Sequence, residues 1–406
     1  MKLTKFMCAA FAAAVALASC QKEQAGTQAP AENGELKSIT VNLANVEMVA
    51  KSASTAGDLA GTSAVVTNFE VFFTNAAGDK FYKGLNANGT AMSHYFTTGV
   101  GLKTFHYLSA EVTRVIVVAN LGQLSPAPTN VTELLANTGE IASMQEANIA
   151  TLAMYGETST LTPTGEHTAV HPANKVYSAS VAIKPLVARL EVNTFGVKFS
   201  DATPGQNSAF TSVRIDKLAF DNYYPNAALT GAVSGERVRQ EFVNFDDPVQ
   251  LKNGQTTYFN GVNGSNWWGD VVDASLAVAD VQSIILTRDV VNDEVTPSPA
   301  QTKTHALAGH YYAYHFFPTA ATAYTQDGYP RLYLQVTSTN VQGDQATQYI
   351  MTKNFNGNAF TAFEAGKIYR VNYTFPDSLL EDPLICAEVD ITVTPWTVVE
   401  LTPDWN

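Results

Sequence analysis

The chain has 406 residues, 46% of them hydrophobic and only 15% charged, and its 37 Asp and Glu against 24 Lys and Arg leave a formal net charge of −13. So acidic a chain, whose densest basic pair is Arg237 with Arg239, argues against nucleic acid and anionic membranes as partners. The length allows two domains with cores that need no metal or disulfide, and a low charged fraction with abundant Thr, Val, Tyr and Phe is the composition of a mainly β protein.

The chain begins with Lys2 and Lys5, and an apolar run follows over residues 6–18. That run is too short to span a bilayer as a mature helix. Leu17-Ala-Ser-Cys20 closes it and resembles the lipobox of bacterial lipoprotein signals. The resemblance implies a signal peptide over residues 1–19, cleavage before Cys20 and acylation of the Cys20 thiol. Residues 20–37 are polar and read as a flexible, lipid-tethered linker. With Cys8 removed and Cys20 acylated, Cys386 is the remaining cysteine, so stability must come from packing.

The first strand is expected over residues 38–44, with Ile39, Val41 and Leu43 on one face. Residues 49–58 are small and polar without a period, a loop open to proteases, and Lys51 lies within it. Strands are expected over 65–74, 81–82, 94–97, 103–109 and 112–119, the first two joined through the turn Asn75-Ala-Ala-Gly-Asp79. Two capping-box patterns, Asn130-Val-Thr-Glu133 and Ser143-Met-Gln-Glu146, predict short helices running into 134–135 and 147–154. Alternation returns over 177–183 and breaks at Pro185, which sets a domain boundary: 38–185 against 186–380. The second half predicts strands over 186–192, 212–220, 238–243, 283–286, 311–317, 331–337, 348–353 and 367–375, a pattern that suits a sandwich. Asn222-Tyr-Tyr-Pro225 and Asn266-Trp-Trp-Gly269 read as loops whose aromatics mark a contact surface.

The tail alternates again. Val389, Ile391, Val393, Pro395, Thr397, Val399 and Leu401 fall on one side, and Asp390, Thr392, Thr394, Trp396, Val398 and Glu400 on the other. At about 3.3 Å per residue this is a strand of roughly 40 Å, longer than usual. Two readings stand: it closes its own sandwich, or it reaches beyond its own domain.

No catalytic constellation emerges. The seven histidines are scattered. His167 and His171 lie between Gly165 and Pro172, which disfavour the helix their spacing needs, and His310 and His315, five apart, point to opposite faces of a strand. His305 adds no third ligand at a useful spacing. There is no G-x-S-x-G elbow, phosphate loop, dinucleotide fingerprint or H-E-x-x-H, and Asp246-Asp247 adjoin Pro248 as in a turn. No enzyme activity, cofactor or metal is expected, although carboxylates that meet only in space escape a reading of this kind.

Several stretches taken in order resemble the fimbrillin family of Bacteroidetes, the FimA-type and Mfa-type subunits of type V pili. They are the lipobox, the short alternating strand with its cleavable loop, Leu152-Ala-Met-Tyr-Gly-Glu157, Ile183-Lys-Pro-Leu-Val-Ala-Arg-Leu-Glu-Val192, Ala365-Gly-Lys-Ile-Tyr-Arg-Val-Asn372 and Val393-Thr-Pro-Trp-Thr-Val398. The resemblance implies two tandem transthyretin-like β-sandwiches with a few short helices and a C-terminal donor strand over 381–406. It implies a cell-surface fimbrial subunit, exported as an outer-membrane lipoprotein. A maturation protease would cut after Lys51, before Ser52, removing residues 38–51 and the groove-filling Ile39, Val41 and Leu43. The tail of a neighbouring copy or another fimbrial subunit would then fill the groove with Val389, Ile391, Val393, Trp396, Val399 and Leu401. Major pilins of the family usually offer Arg at the cut, so Lys51 calls for a Lys-tolerant protease. The competing reading is a monomeric glycan-binding lipoprotein or tip adhesin using the loop aromatics, which has no use for a long donor strand.

Overall fold

The computed structural model describes residues 36–44, 46–50, 63–97, 102–140, 152–164, 175–202, 210–237, 240–242, 249–251, 268–270, 283–289, 299–307, 312–319, 330–355, 362–381, 384–395 and 397–402. The first half holds β1 (Lys37–Leu43), β2 (Val46–Ala50), β3 (Ser63–Val66), β4 (Phe69–Thr74), β5 (Phe81–Tyr82), β6 (Tyr95–Phe96), β7 (Lys103–Leu108), β8 (Arg114–Ala119), α1 (Val131–Leu135), β9 (Thr138–Glu140), β10 (Met154–Thr158), β11 (Thr162–Pro163), β12 (Lys175–Val181) and β13 (Lys184–Pro185). The second holds β14 (Ala188–Phe199), β15 (Phe210–Asp221), β16 (Asn226–Ala228), β17 (Val233–Ser234), β18 (Gln240–Phe242), β19 (Val249–Leu251), β20 (Trp268–Asp270), β21 (Ile284–Thr287), β22 (Gln301–Ala306), β23 (Tyr312–Phe316), β24 (Arg331–Asn340), β25 (Gln345–Phe355), β26 (Lys367–Pro376), β27 (Leu384–Pro395) and β28 (Thr397–Thr402). The protein is mainly β.

The N-terminal half is a sandwich of two sheets, ordered β11-β12-β1-β7 and β13-β10-β8-β4-β5. Its core follows from apolar runs: β4 and the Val115–Ala119 part of β8 are buried on both faces, and Phe73 of one sheet meets Phe105 of the other edge-on at 4.8 Å. The strand expected over 65–74 is two strands, because Asn120 (φ +61) turns its side chain back on the chain between them. Its Oδ1 accepts from the Thr67 N–H and hydroxyl, and its Nδ2 donates to Leu152 O. The first capping box forms α1, with Asn130 Oδ1 accepting from Glu133 N–H. Glu133 accepts from Thr129, one residue outside the box. The second expected helix lies largely outside the described residues, and its end is corrected: Met154 opens β10, opposite Ala119.

The C-terminal half is a second sandwich. One sheet runs β20-β15-β24-β25 and the other β26-β14-β22, with β23 also on β14, and β27 joins the two. β27 is a corner strand: residues 384–389 lie parallel to β25 and residues 390–395 antiparallel to β26. The expectation of one long tail strand is therefore corrected. Residues 384–395 close their own sandwich, and β28 lies apart, parallel to both β2 and β3. Between the sheets Phe220 stacks on Tyr314 at 5.0 Å and on Tyr223 at 5.3 Å. Tyr223 is 1% exposed, so it belongs to this core and not to a contact surface. Trp268 lies in β20, paired with Ala219, where a loop was expected.

Sheet partnership changes between Pro185 and Ala188: β13 pairs with β10, and β14 with β26. At this junction β14 is buried on both faces, although it carries Arg189 and Glu191. Arg189 Nε donates to Glu191 Oε1 at 2.6 Å, Arg370 Nε to Glu191 Oε2 at 3.0 Å, and Arg189 Nη1 lies 3.3 Å from His315 Nε2. The register explains the cluster, since Arg189 faces His315 across one strand pair and Glu191 faces Arg370 across the other. Two cations share one buried carboxylate.

Two outcomes are expected. Glu191→Gln leaves Arg189 and Arg370 without their shared anion and costs about 3–5 kcal/mol, measured by denaturant unfolding. Gly156→Ala places a methyl 2.2 Å from Ala182 O, a backbone atom that cannot swing aside. It costs about 1–3 kcal/mol in the same assay.

Candidate functional site: the slot filled by the first strand

The first strand of the chain is an inner strand of its sheet. β1 runs parallel to β12, with Ile39 opposite Tyr177, Val41 opposite Ala179 and Leu43 opposite Val181. On its other side it is antiparallel to β7, with Ile39 opposite Phe105, Thr40 opposite Thr104 and Val41 opposite Lys103. Ile39, Val41 and Leu43 are buried at 0%, 4% and 6% exposure. The alternation in this segment thus selects one face, and sheets from elsewhere in the chain supply the walls.

Polar contacts fix the strand lengthwise. Ser38 is buried, its Oγ 2.9 Å from His106 Nδ1, and Thr40 Oγ1 lies 2.9 Å from Thr104 Oγ1. Lys37 Nζ donates to Val112 O at 2.6 Å and sits 5.4 Å from the centre of the Tyr177 ring. Burial, then the nearby Lys175, lowers the Lys37 pKa. Lys37 is thus a poor protease site, held in a strand paired on both edges. The β1–β7 register slips between Lys37 and Ile39, and at this bulge Tyr107 takes a φ of +57.

The far wall of the slot is aromatic. His94 packs on Phe105 at 5.2 Å and Phe73 at 5.8 Å, and its Nε2 accepts from Gly84 N–H. Burial, and then the charge of Lys83, lowers its pKa to about 4. Among the described residues no three His, Cys, Asp or Glu side chains gather as for a metal.

Of the residues singled out from sequence, the slot brings together Ile39, Val41 and Leu43. Cys20, Lys51, Ser52 and Trp396 lie outside the described residues. The backbone of Val389, Ile391 and Val393 is in β27 and that of Val399 and Leu401 in β28. Ser38, Thr104 and His106 were not singled out. Their partners are 64 and 68 residues away, and no local pattern marks a contact at that distance.

No protein-family model matches the chain, and no curated protein matches it. Solved structures do. A candidate cell adhesion protein from Bacteroides eggerthii aligns at 17% identity and a TM-score of 0.49, over 93% of this chain and 100% of its own. The fimbrilin FimA from Porphyromonas gingivalis aligns at 15% identity and a TM-score of 0.47, over 90% and 99%. A tip fimbrial protein from Porphyromonas gingivalis, truncated at its C terminus, aligns at 12% identity and a TM-score of 0.40, over 89% and 100%. The chain is similar along most of its length to fimbrial and adhesion proteins.

Stability near the slot should depend on pH. Because the folded His94 pKa lies below its unfolded value, the unfolded chain binds more protons between about pH 6.5 and pH 4. The contribution is complete above about 6.5 and is lost as pH falls through that window. In thermal melts His94→Gln, whose amide oxygen still accepts from Gly84, flattens this dependence.

Proposed function

We propose that this chain is a structural subunit of a surface fimbria, exported as a lipoprotein through Cys20, cut behind its first strand and polymerised by strand exchange between copies. One observation carries the reading: a strand at the start of the chain fills an inner place in its sheet with three buried apolar side chains. Removing it exposes Ile39, Val41 and Leu43 contacts worth about 5–9 kcal/mol at about 1.5–3 kcal/mol each. It also leaves β12 and β7 with unpaired edges facing each other, a template for another strand. A protease acting after Lys51 separates this strand from the rest, and an extended segment of another copy restores the sheet. The lipid holds the precursor at the outer membrane, and the partners are further copies or other fimbrial subunits. Adhesion and colonisation follow from the fibre. The competing reading as a glycan-binding lipoprotein or tip adhesin loses part of its basis with Tyr223 buried in the core.

The test is the N terminus of mature subunits sheared from the cell surface, read by mass spectrometry. Ser52 is expected, and Lys51→Gln should yield monomers that keep β1. Fibres whose subunits retain residues 38–51 would refute the reading. Cys20→Ala should leave the precursor unprocessed, shown by loss of fatty-acid labelling.

A further inference from the structure

The first strand and the tail carry the same triplet. Ser38-Ile39-Thr40-Val41-Asn42-Leu43 is matched by Asp390-Ile391-Thr392-Val393-Thr394-Pro395. In the folded chain the two copies of Ile-Thr-Val occupy different places. The first has partners on both edges, β12 and β7, while among the described residues 390–395 pair with β26 alone. The slot offers an entering segment two edges to pair with, those of β12 and β7.

We propose that the tail of one copy enters the slot of the next with residues 390–395 in the register of residues 38–43, so that Thr392 meets Thr104 and Asp390 meets His106. The inference rests on the strand-exchange reading and adds its register and its selecting residue. A slip of one residue would turn Ile391 and Val393 away from the core, so the choice lies among even shifts. The polar contacts choose between them. Thr392 takes the place of Thr40 and keeps a hydroxyl beside Thr104. Asp390 takes the place of Ser38 at the β7 bulge. A carboxylate only accepts, so His106 presents Nδ1–H to it. That charge-assisted bond is stronger than one between a serine hydroxyl and a neutral ring. His106 is thus the partner that a buried Asp390 requires in this register.

Proline fits this register as well. Ala44 N–H donates to Val181 O, so Leu43 N–H, one residue earlier, points to the opposite edge. There the described pairing of β7 with β1 runs as far as Val41 opposite Lys103. Pro395 in the place of Leu43 therefore removes no donor from the described ladder.

Cysteine trapping in assembled fibres tests the register, in the full chain carrying Cys386→Ser. Thr104→Cys with Thr392→Cys should give a ladder of disulfide-linked subunits on a non-reducing gel that collapses on reduction. Thr104→Cys with Val393→Cys should give none. Fibres that form but trap Thr104→Cys with Thr394→Cys or Thr397→Cys instead would overturn the register while leaving strand exchange standing. Processed Cys386→Ser and wild-type chains that form no fibres would overturn the reading beneath it. For the selecting pair, Asp390→Leu and His106→Leu should each lower fibre yield about tenfold, and the double variant no further. Melts of the unprocessed monomers show that each variant folds. Losses that multiply in the double variant would remove the Asp390–His106 contact from the proposal.

Discussion

The rest of this structure depends on a conflict between chain order and sheet order: the first strand of the chain is an inner strand of its sheet. An inner strand holds two neighbours together through its backbone and fills the core with its side chains, and here β1 does both between β12 and β7. The opposite sheet does not rely on β1 for its ladder. β4, β8 and β10 pair with one another and keep their own buried apolar rows. A sandwich built this way can lose one strand and retain a formed wall, so the space left behind has a definite shape.

At the other end of the molecule the chain solves a different problem. β27 belongs to both sheets of the C-terminal sandwich, turning the corner between β25 and β26. Its inner neighbour β26 carries Arg370, which reaches Glu191 and through it Arg189 and His315 at the domain junction. A buried cluster of this kind adds little net stability over an apolar one, but it is intolerant of slips, because a shift of one residue would turn the charges to the opposite face. The cluster thus pins β14 against β26 and β23 where the two sandwiches meet.

Much of the fold was legible because alternation and apolar runs are local. The strands over 38–44, 103–109, 311–317 and 367–375 could be seen this way, and so could α1 from its Asn130 cap. What escaped depends on distant groups. The break at residues 67–68 is made by Asn120, and the burial of Tyr223 by Phe220 and the sheet opposite. Nothing local marks Arg189 and Glu191 as buried, and partners 126 and 179 residues away enclose them. The tail was legible in its period but not in its ending. Both faces of an alternating strand are visible from sequence, yet nothing local says which sheet will accept it or that it will change sheets part-way along. Of the slot, its filling could be read and its lining could not, since Thr104 and His106 gain meaning only from Thr40 and Ser38.

The proposed strand exchange places two conditions on the copies that would take part in it. Within a single copy β1 holds the slot, paired on both edges, while residues 390–395 lie against β26. In the proposed exchange one copy would have to release residues 390–395 from β26, and the other would have to empty its slot. Neither condition alone suffices. Cutting the chain without freeing the tail leaves an open apolar groove, and freeing the tail without the cut leaves a strand with no place to go. In that scheme the slot, once emptied, would offer an entering strand two unpaired edges, those of β12 and β7.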